Sequence, residues 1–237
     1  MTRPLEKIEL TTILDNPKSF LNQRDKVLFY TQLFTGLRGS ELTSIKIEQV
    51  ATHTRLGWKV FPSLSMSKDV MKGKLRGRQI NIADVLKKTL EEYLNNHYRK
   101  FADKEPKSEY YLFPSLKSKD KPLHCSTWNS ILKDIFLRNE IVDDKRKLGT
   151  HTLRKNYVVA LYNNPEIRSN FLLLLKCTGH QRPETLQHYV GIHADDVRDA
   201  QKNVMNEYFE QKELEKELEE ELESLSERHY LEDIDFT

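Results

Sequence analysis

Between residues 151 and 189 the chain carries five side chains able to act on a phosphate: His151, Arg154, His180, His188 and Tyr189. His151 and Arg154 are three apart, so on a helix they would share a face with Cβ atoms about 5–6 Å apart. An imidazole and a guanidinium so placed make a donor cluster suited to a tetrahedral oxyanion. The apolar run from Phe171 to Leu175 leads into Thr178-Gly179-His180. Gly179 reads as a helix stop, which places His180 at a turn, free to point away from the core. Nine residues later comes Tyr189, after a stretch (183–188) with room for a turn or two of helix. A phenol attacks phosphorus once its proton is removed, and at a reference pKa of about 10 it needs an acceptor to do so. Singly, these residues also read as a capping histidine, a core tyrosine and a solvated helix face.

Far upstream, Arg38 lies in Phe34-Thr35-Gly36-Leu37-Arg38-Gly39-Ser40-Glu41-Leu42. Gly36 ends one helix, and Gly39 or Ser40 starts another with Glu41 in its first turn. Arg38 therefore occupies a tight corner, and core packing on both sides of a corner fixes a side chain. Glu41 reads as an orienter of Arg38 or a helix cap, not as a base.

The segments TGLRGSEL, HTLR, TGH and a tyrosine nine residues beyond that histidine resemble the tyrosine recombinase (phage-type integrase) family. They stand in that family's catalytic order of Arg, Lys, His-x-x-Arg, His, Tyr. The resemblance runs from about residue 24 to about residue 195. It implies a site-specific recombinase or integrase, of phage or mobile-element type, that cleaves and rejoins DNA through a covalent 3′-phosphotyrosyl link. Tyr189 would be the nucleophile, Arg38 and Arg154 the phosphate clamp, His151 the base and His180 a further donor. A lysine of the basic segment Met71-Lys72-Gly73-Lys74-Leu75-Arg76-Gly77 would be the general acid, Lys72 preferred for its Lys-Gly pair, Lys74 the alternative. Lys68, Lys74, Arg76, Arg78 and Lys155 would face DNA. His188 reads as a packing or DNA-backbone residue. Duplex DNA is the implied partner, with assembly from dimer to tetramer on it, and the chemistry calls for no cofactor or metal. A DNA-binding regulator on the same fold and a type IB topoisomerase are the alternatives.

The elements that must position these groups form a mainly α fold with a small antiparallel β-sheet (α+β). Residues 1–199 read as the catalytic domain, residues 1–22 being a helical lead-in interrupted near Asn16-Pro17. Apolar residues at Val27, Leu28, Tyr30, Leu33 and Phe34 predict a buried helix over 24–36. Helical periodicity fades over 46–82, where Lys59–Phe61, Met66–Lys68 and Arg78–Ile82 read as strands. Residues 83–101 predict an amphipathic helix with Leu86, Leu90, Tyr93 and Leu94 inward. Residues 126–139 predict another, capped by Ser126.

No apolar run approaches the roughly 18 residues of a membrane span, and the first ten residues lack a signal peptide's apolar block. Cys125 and Cys177 have no CxxC partner, so they read as reduced thiols of a cytoplasmic, DNA-associated protein. Asp143 and Asp144 beside Lys145–Lys147 read as a solvated charge cluster, not metal ligands. The net charge of +2 conceals a division. Residues 201–237 hold thirteen Asp/Glu against four Lys/Arg, leaving 34 basic and 23 acidic residues in the rest. A body at +11 suits a polyanion. The acidic tail, residues 200–237, reads either as a solvated charged tail or as a helix whose narrow stripe of Leu214, Leu218, Leu222 and Leu225 wants a partner helix, which the family resemblance implies would link subunits. Arg38 follows Met1 by 37 residues, too few for the helical DNA-clamp domain that precedes the catalytic one in many relatives. The chain is thus expected to be the catalytic part of a longer integrase or a minimal recombinase, with weakened site-specific binding.

Overall fold

The computed structural model describes residues 2–68, 77–118, 120–141 and 148–180, with Pro183, Leu186, Leu214, Lys216 and Leu218. Backbone packing divides the chain into two units, Met1–Val190 and Gly191–Thr237. In the second, Leu214, Lys216 and Leu218 are helical and exposed. The rest of the expected leucine stripe lies outside the described residues, as do Asp143, Asp144 and Lys145–Lys147.

The first unit is mainly helical with two small antiparallel sheets. After α1 (Lys7–Asp15), α2 (Gln23–Thr35) is the central helix, burying Val27, Leu28 and Phe29 completely. Asn22 caps it by accepting from the Asp25 amide, and Gly36 ends it in the left-handed conformation (φ 61°). A short α3 (Gly39–Thr43) follows, so Arg38 does occupy the corner between two helices.

The strands differ from expectation in position. β1 (Ala51–Thr54) pairs with β2 (Gly57–Val60), and β3 (Ser63–Met66) pairs with β4 (Arg78–Asn81). β1 has no alternating apolar pattern, because only Ala51 of its four residues is buried. β3 begins at Ser63, upstream of its expected place, since Leu64, paired with Ile80, and Met66 must both face the core. Register sets Met66 opposite Arg78.

Residues 83–101 form not one helix but α4 (Asp84–Glu92), a π-turn over Tyr93–His97 and α5 (Arg99–Ala102). The expected inward stripe holds, with Leu86, Leu90, Tyr93 and Leu94 all buried. Each such leucine contributes about 1.5–3 kcal/mol by leaving water. α6 (Cys125–Arg138) is capped by His124, whose ring accepts from the Ser126 amide; Ser126 is inside the helix.

α7 (Thr150–Tyr162), α8 (Pro165–Arg168) and α9 (Phe171–Thr178) follow, and Pro183 and Leu186 beyond them are also helical. Asn156 of α7 donates to the Leu5 carbonyl (2.8 Å) and accepts from the Leu5 amide (2.9 Å), strapping the N-terminal segment to the helix. The main core spans α1 to α7, and Val158, Leu174 and Leu186 form a second cluster under α7 and α9. Both cysteines are free and half-buried.

Candidate active site

The site assembles from four separated segments: the α2–α3 corner, β4, α7 and the C-terminus of α9. At the corner, Glu41 is 1% exposed and holds Arg38 at two points. The Arg38 amide donates to Oε2 (2.9 Å) and Nη1 donates to Oε1 (2.8 Å). Burial pushes the Glu41 carboxyl up, but these bonds and the charges of Arg38 and Arg154 outweigh it and hold its pKa below the usual range. Glu41 is thus both cap and orienter, and the Arg38 side chain remains 23% exposed.

Arg154 is 1% exposed. Its Nη1 donates to the Gly36 carbonyl (2.5 Å) and its Nη2 to the Thr178 carbonyl (3.2 Å). Gly36 and Gly179 are the left-handed caps of α2 and α9, so two helix C-termini converge on one guanidinium. The partial negative charge of those ends favours a buried cation. The i, i+3 geometry of His151 and Arg154 is realised on α7, yet the two straddle the burial boundary. His151 is exposed, whereas Arg154 points into the unit.

His180 does not point away from the core as expected; it is 6% exposed. The Thr178 hydroxyl donates to the Leu174 carbonyl (2.8 Å), so it presents a lone pair to His180 Nδ1 at 2.8 Å. Nδ1 therefore carries the ring proton, and Nε2 accepts from Arg154 Nη2 at 3.2 Å. Burial, reinforced by the charges of Arg154, Arg38 and Arg78, pulls the His180 pKa down to about 3. The ring is neutral at physiological pH.

Arg78, expected on a DNA-facing surface, is half-buried. Its guanidinium donates to the Cys177 carbonyl, which also accepts from the Tyr157 hydroxyl at 3.3 Å. Burial first, then repulsion by Arg154, lowers its pKa, against the opposing pull of Tyr157 and Glu41. The strand-like pattern of residues 78–82 was legible, but the direction of this side chain was not. Also unforeseen is Gln32, fully buried, which donates to the Leu37 carbonyl (3.0 Å) and the Thr150 carbonyl (2.8 Å) and accepts from Trp128 Nε1 (2.8 Å). It joins the Arg38 corner to the start of α7. A lone glutamine in the apolar stretch VLFYTQLF was the available signal, because a buried amide must be hydrogen-bonded.

Lys68 is exposed, and half-buried Lys155 has its ammonium pKa lowered by burial. Lys72, Lys74, Arg76, His188 and Tyr189 lie outside the described residues. Among the described residues, no group of three or more His, Cys, Asp or Glu side chains is arranged to hold a metal ion. No described helix is long and apolar enough to cross a membrane.

Three guanidinium groups, a neutral imidazole and one buried carboxylate make a net cationic cluster, set in a helical domain with two small antiparallel sheets. Residues 3–196 match the Phage integrase family, and the chain belongs to it. It is 23% identical over 198 residues to tyrosine recombinase XerD of Chlamydia muridarum, across 80% of this chain and 57% of that protein. It thus spans somewhat more than half the length of the curated relatives it matches. The fold is that of XerA recombinase (TM-score 0.59, 18% identity, 86% of this chain, 64% of the other). It also matches the catalytic domain of bacteriophage HP1 integrase (TM-score 0.53, 20% identity, 85% of this chain, 95% of the other). A structure of XerH site-specific recombinase bound to its difH substrate matches at TM-score 0.58 and 20% identity, over 83% of this chain and 53% of the other.

Proposed function

We propose that this chain is the catalytic part of a site-specific DNA recombinase that breaks and rejoins DNA through a 3′-phosphotyrosyl intermediate. The observation that carries this is the convergence of Arg38, Arg154 and His180, 142 residues apart at the extremes: Arg38 on the buried Glu41 carboxylate, Arg154 on two helix ends and on His180. Arg38 and Arg154 bind the non-bridging oxygens of the scissile phosphate, their planar forks matching its geometry. Tyr189 attacks phosphorus as His151 takes its proton. The bond to the 5′-oxygen breaks, and a lysine, Lys72 or Lys74, protonates that oxygen. The phosphodiester energy is kept in the tyrosyl ester, so a DNA hydroxyl can reverse the step without hydrolysis.

His180 accepts from Arg154 Nη2 and so orients that guanidinium. The negative charge of the arriving phosphate raises the ring's proton affinity, so Nε2 takes a proton from water and donates to a non-bridging oxygen. The residues named carry the reaction without a metal. Duplex DNA is the partner, and its polyanionic backbone matches the basic excess of residues 1–200. Self-association on DNA through the acidic tail beyond residue 200, and action in the cytoplasm, belong to the same reading.

The test is a suicide DNA duplex nicked beside the cleavage position, which traps covalent protein–DNA. Wild type accumulates the adduct and Tyr189→Phe yields none. Equal adduct from both proteins would remove Tyr189 from its role. Relaxation of supercoiled plasmid by a monomer would point to a topoisomerase instead.

A further inference from the structure

Arg78 lies on β4, 99 residues before the Cys177 carbonyl to which it donates. That carbonyl belongs to the last turn of α9, where carbonyls lack intrahelical partners and a cation is favoured. The next carbonyl, Thr178, is taken by Arg154 Nη2 from α7. Two guanidinium groups from two different elements thus hold consecutive carbonyls of one turn, and His180 follows directly. Gly179 has φ 68°, and a Cβ there would lie 3.0 Å from Arg78 Nη1 and 3.2 Å from its Cδ. The Arg78 side chain therefore lies flat on the glycine that turns the chain into His180. Tyr157 of α7 shares the Cys177 carbonyl and closes the arrangement on the far side.

We infer that Arg78 is a positioning residue for the phosphate site, acting through His180 by pinning the Cys177–Gly179 turn against β4. Its guanidinium is committed to the Cys177 carbonyl, beside the Tyr157 phenol, rather than to DNA. This rests on the recombinase reading above. Without Arg78, the turn loses its strand-side anchor and His180 loses its registry with Arg154, while the DNA-facing surface is unchanged.

The experiment is a double-mutant cycle read by single-turnover cleavage of the suicide duplex at saturating DNA. Arg78→Met in the wild-type background is expected to slow cleavage on the order of 10- to 100-fold, the scale of a small misplacement at a reacting centre. In a His180→Ala background the same substitution is expected to cost less than about threefold, since residues acting through one another are not additive. Arg78→Lys, which keeps the charge, is expected to recover part of the loss, and DNA affinity is expected to hold within about twofold. Equal cost in both backgrounds overturns the inference, and a variant that merely folds poorly gives that result because it scales both rates alike. Weakened DNA binding with an unchanged rate at saturation also overturns it, making Arg78 a DNA contact. If wild type itself forms no adduct, the recombinase reading falls, and this inference with it.

Discussion

Arg154 Nη2 donates to His180 Nε2 at 3.2 Å, so the buried imidazole serves as acceptor to a guanidinium rather than as a charged donor. Burial, with this contact and the Thr178 hydroxyl on Nδ1, fixes the ring's charge and tautomer, and the pH behaviour of the fold follows.

The His180 pKa is about 3 in the folded chain against an ordinary value of 6.5. Between those values the unfolded chain binds the extra proton and the folded chain does not. Stability is therefore full above pH 6.5 and falls as the pH drops through this window. Urea unfolding at pH 7 and pH 5 is expected to show that loss in wild type and a smaller one in His180→Asn. Identical pH dependence in the two proteins would mean that the ring is not held neutral.

Glu41 binds both the amide and the guanidinium of Arg38 while almost fully buried. Glu41→Ala strands that amide and leaves a cation facing Arg154 without its counter-charge. A loss of about 2 kcal/mol is expected in denaturant unfolding, within the range for an orphaned buried group. Cleavage is expected to fall further than stability, because Arg38 would no longer be aimed. A variant with wild-type cleavage would show that Arg38 needs no orienter.

Gly36 and Gly179 share a left-handed backbone, yet alanine should cost different amounts at the two sites. At Gly36 an added Cβ would sit 2.2 Å from Tyr157 Cδ1, inside a packed ring. At Gly179 the nearest atom is Arg78 Nη1 at 3.0 Å, a much looser approach. The conformational penalty of about 1–2 kcal/mol is common to both. Gly36→Ala is expected to lose at least about 2 kcal/mol more than Gly179→Ala, since a packed core yields little. Thermal melts of the two variants check the order.

Gln32 satisfies three buried partners at once, Leu37, Thr150 and Trp128. Gln32→Leu fits the space but orphans the indole N–H and takes a donor from the Leu37 and Thr150 carbonyls, and is expected to lose about 2–4 kcal/mol. Trp128→Phe, which removes one of those groups along with its bond, is expected to lose less. Urea titrations followed by circular dichroism compare them, and a milder effect of Gln32→Leu would show that the network adds little.

Much of this site was legible because it is local. Gly36 as a stop, the Arg38 corner and Glu41 three residues on follow from short-range geometry, as does HTLR lying on one helix. The inward stripe of Leu86, Leu90, Tyr93 and Leu94 was equally plain, because helical periodicity reports burial directly. The break at Tyr93 was not, since the π-turn does not disturb the pattern of apolar side chains.

The linear chain by itself determined which groups are present, their order, and the helices and corner that carry Arg38, His151 and Arg154. Those features arise from neighbours a few residues apart. Only tertiary structure decided that His180 is buried and neutral, that Arg78 turns inward onto Cys177, and that Gln32 ties α2 to α7. Each depends on partners brought together from distant parts of the chain, whose packing sets the dielectric and the available acceptors. The same side chains at the surface would have been hydrated and differently aimed.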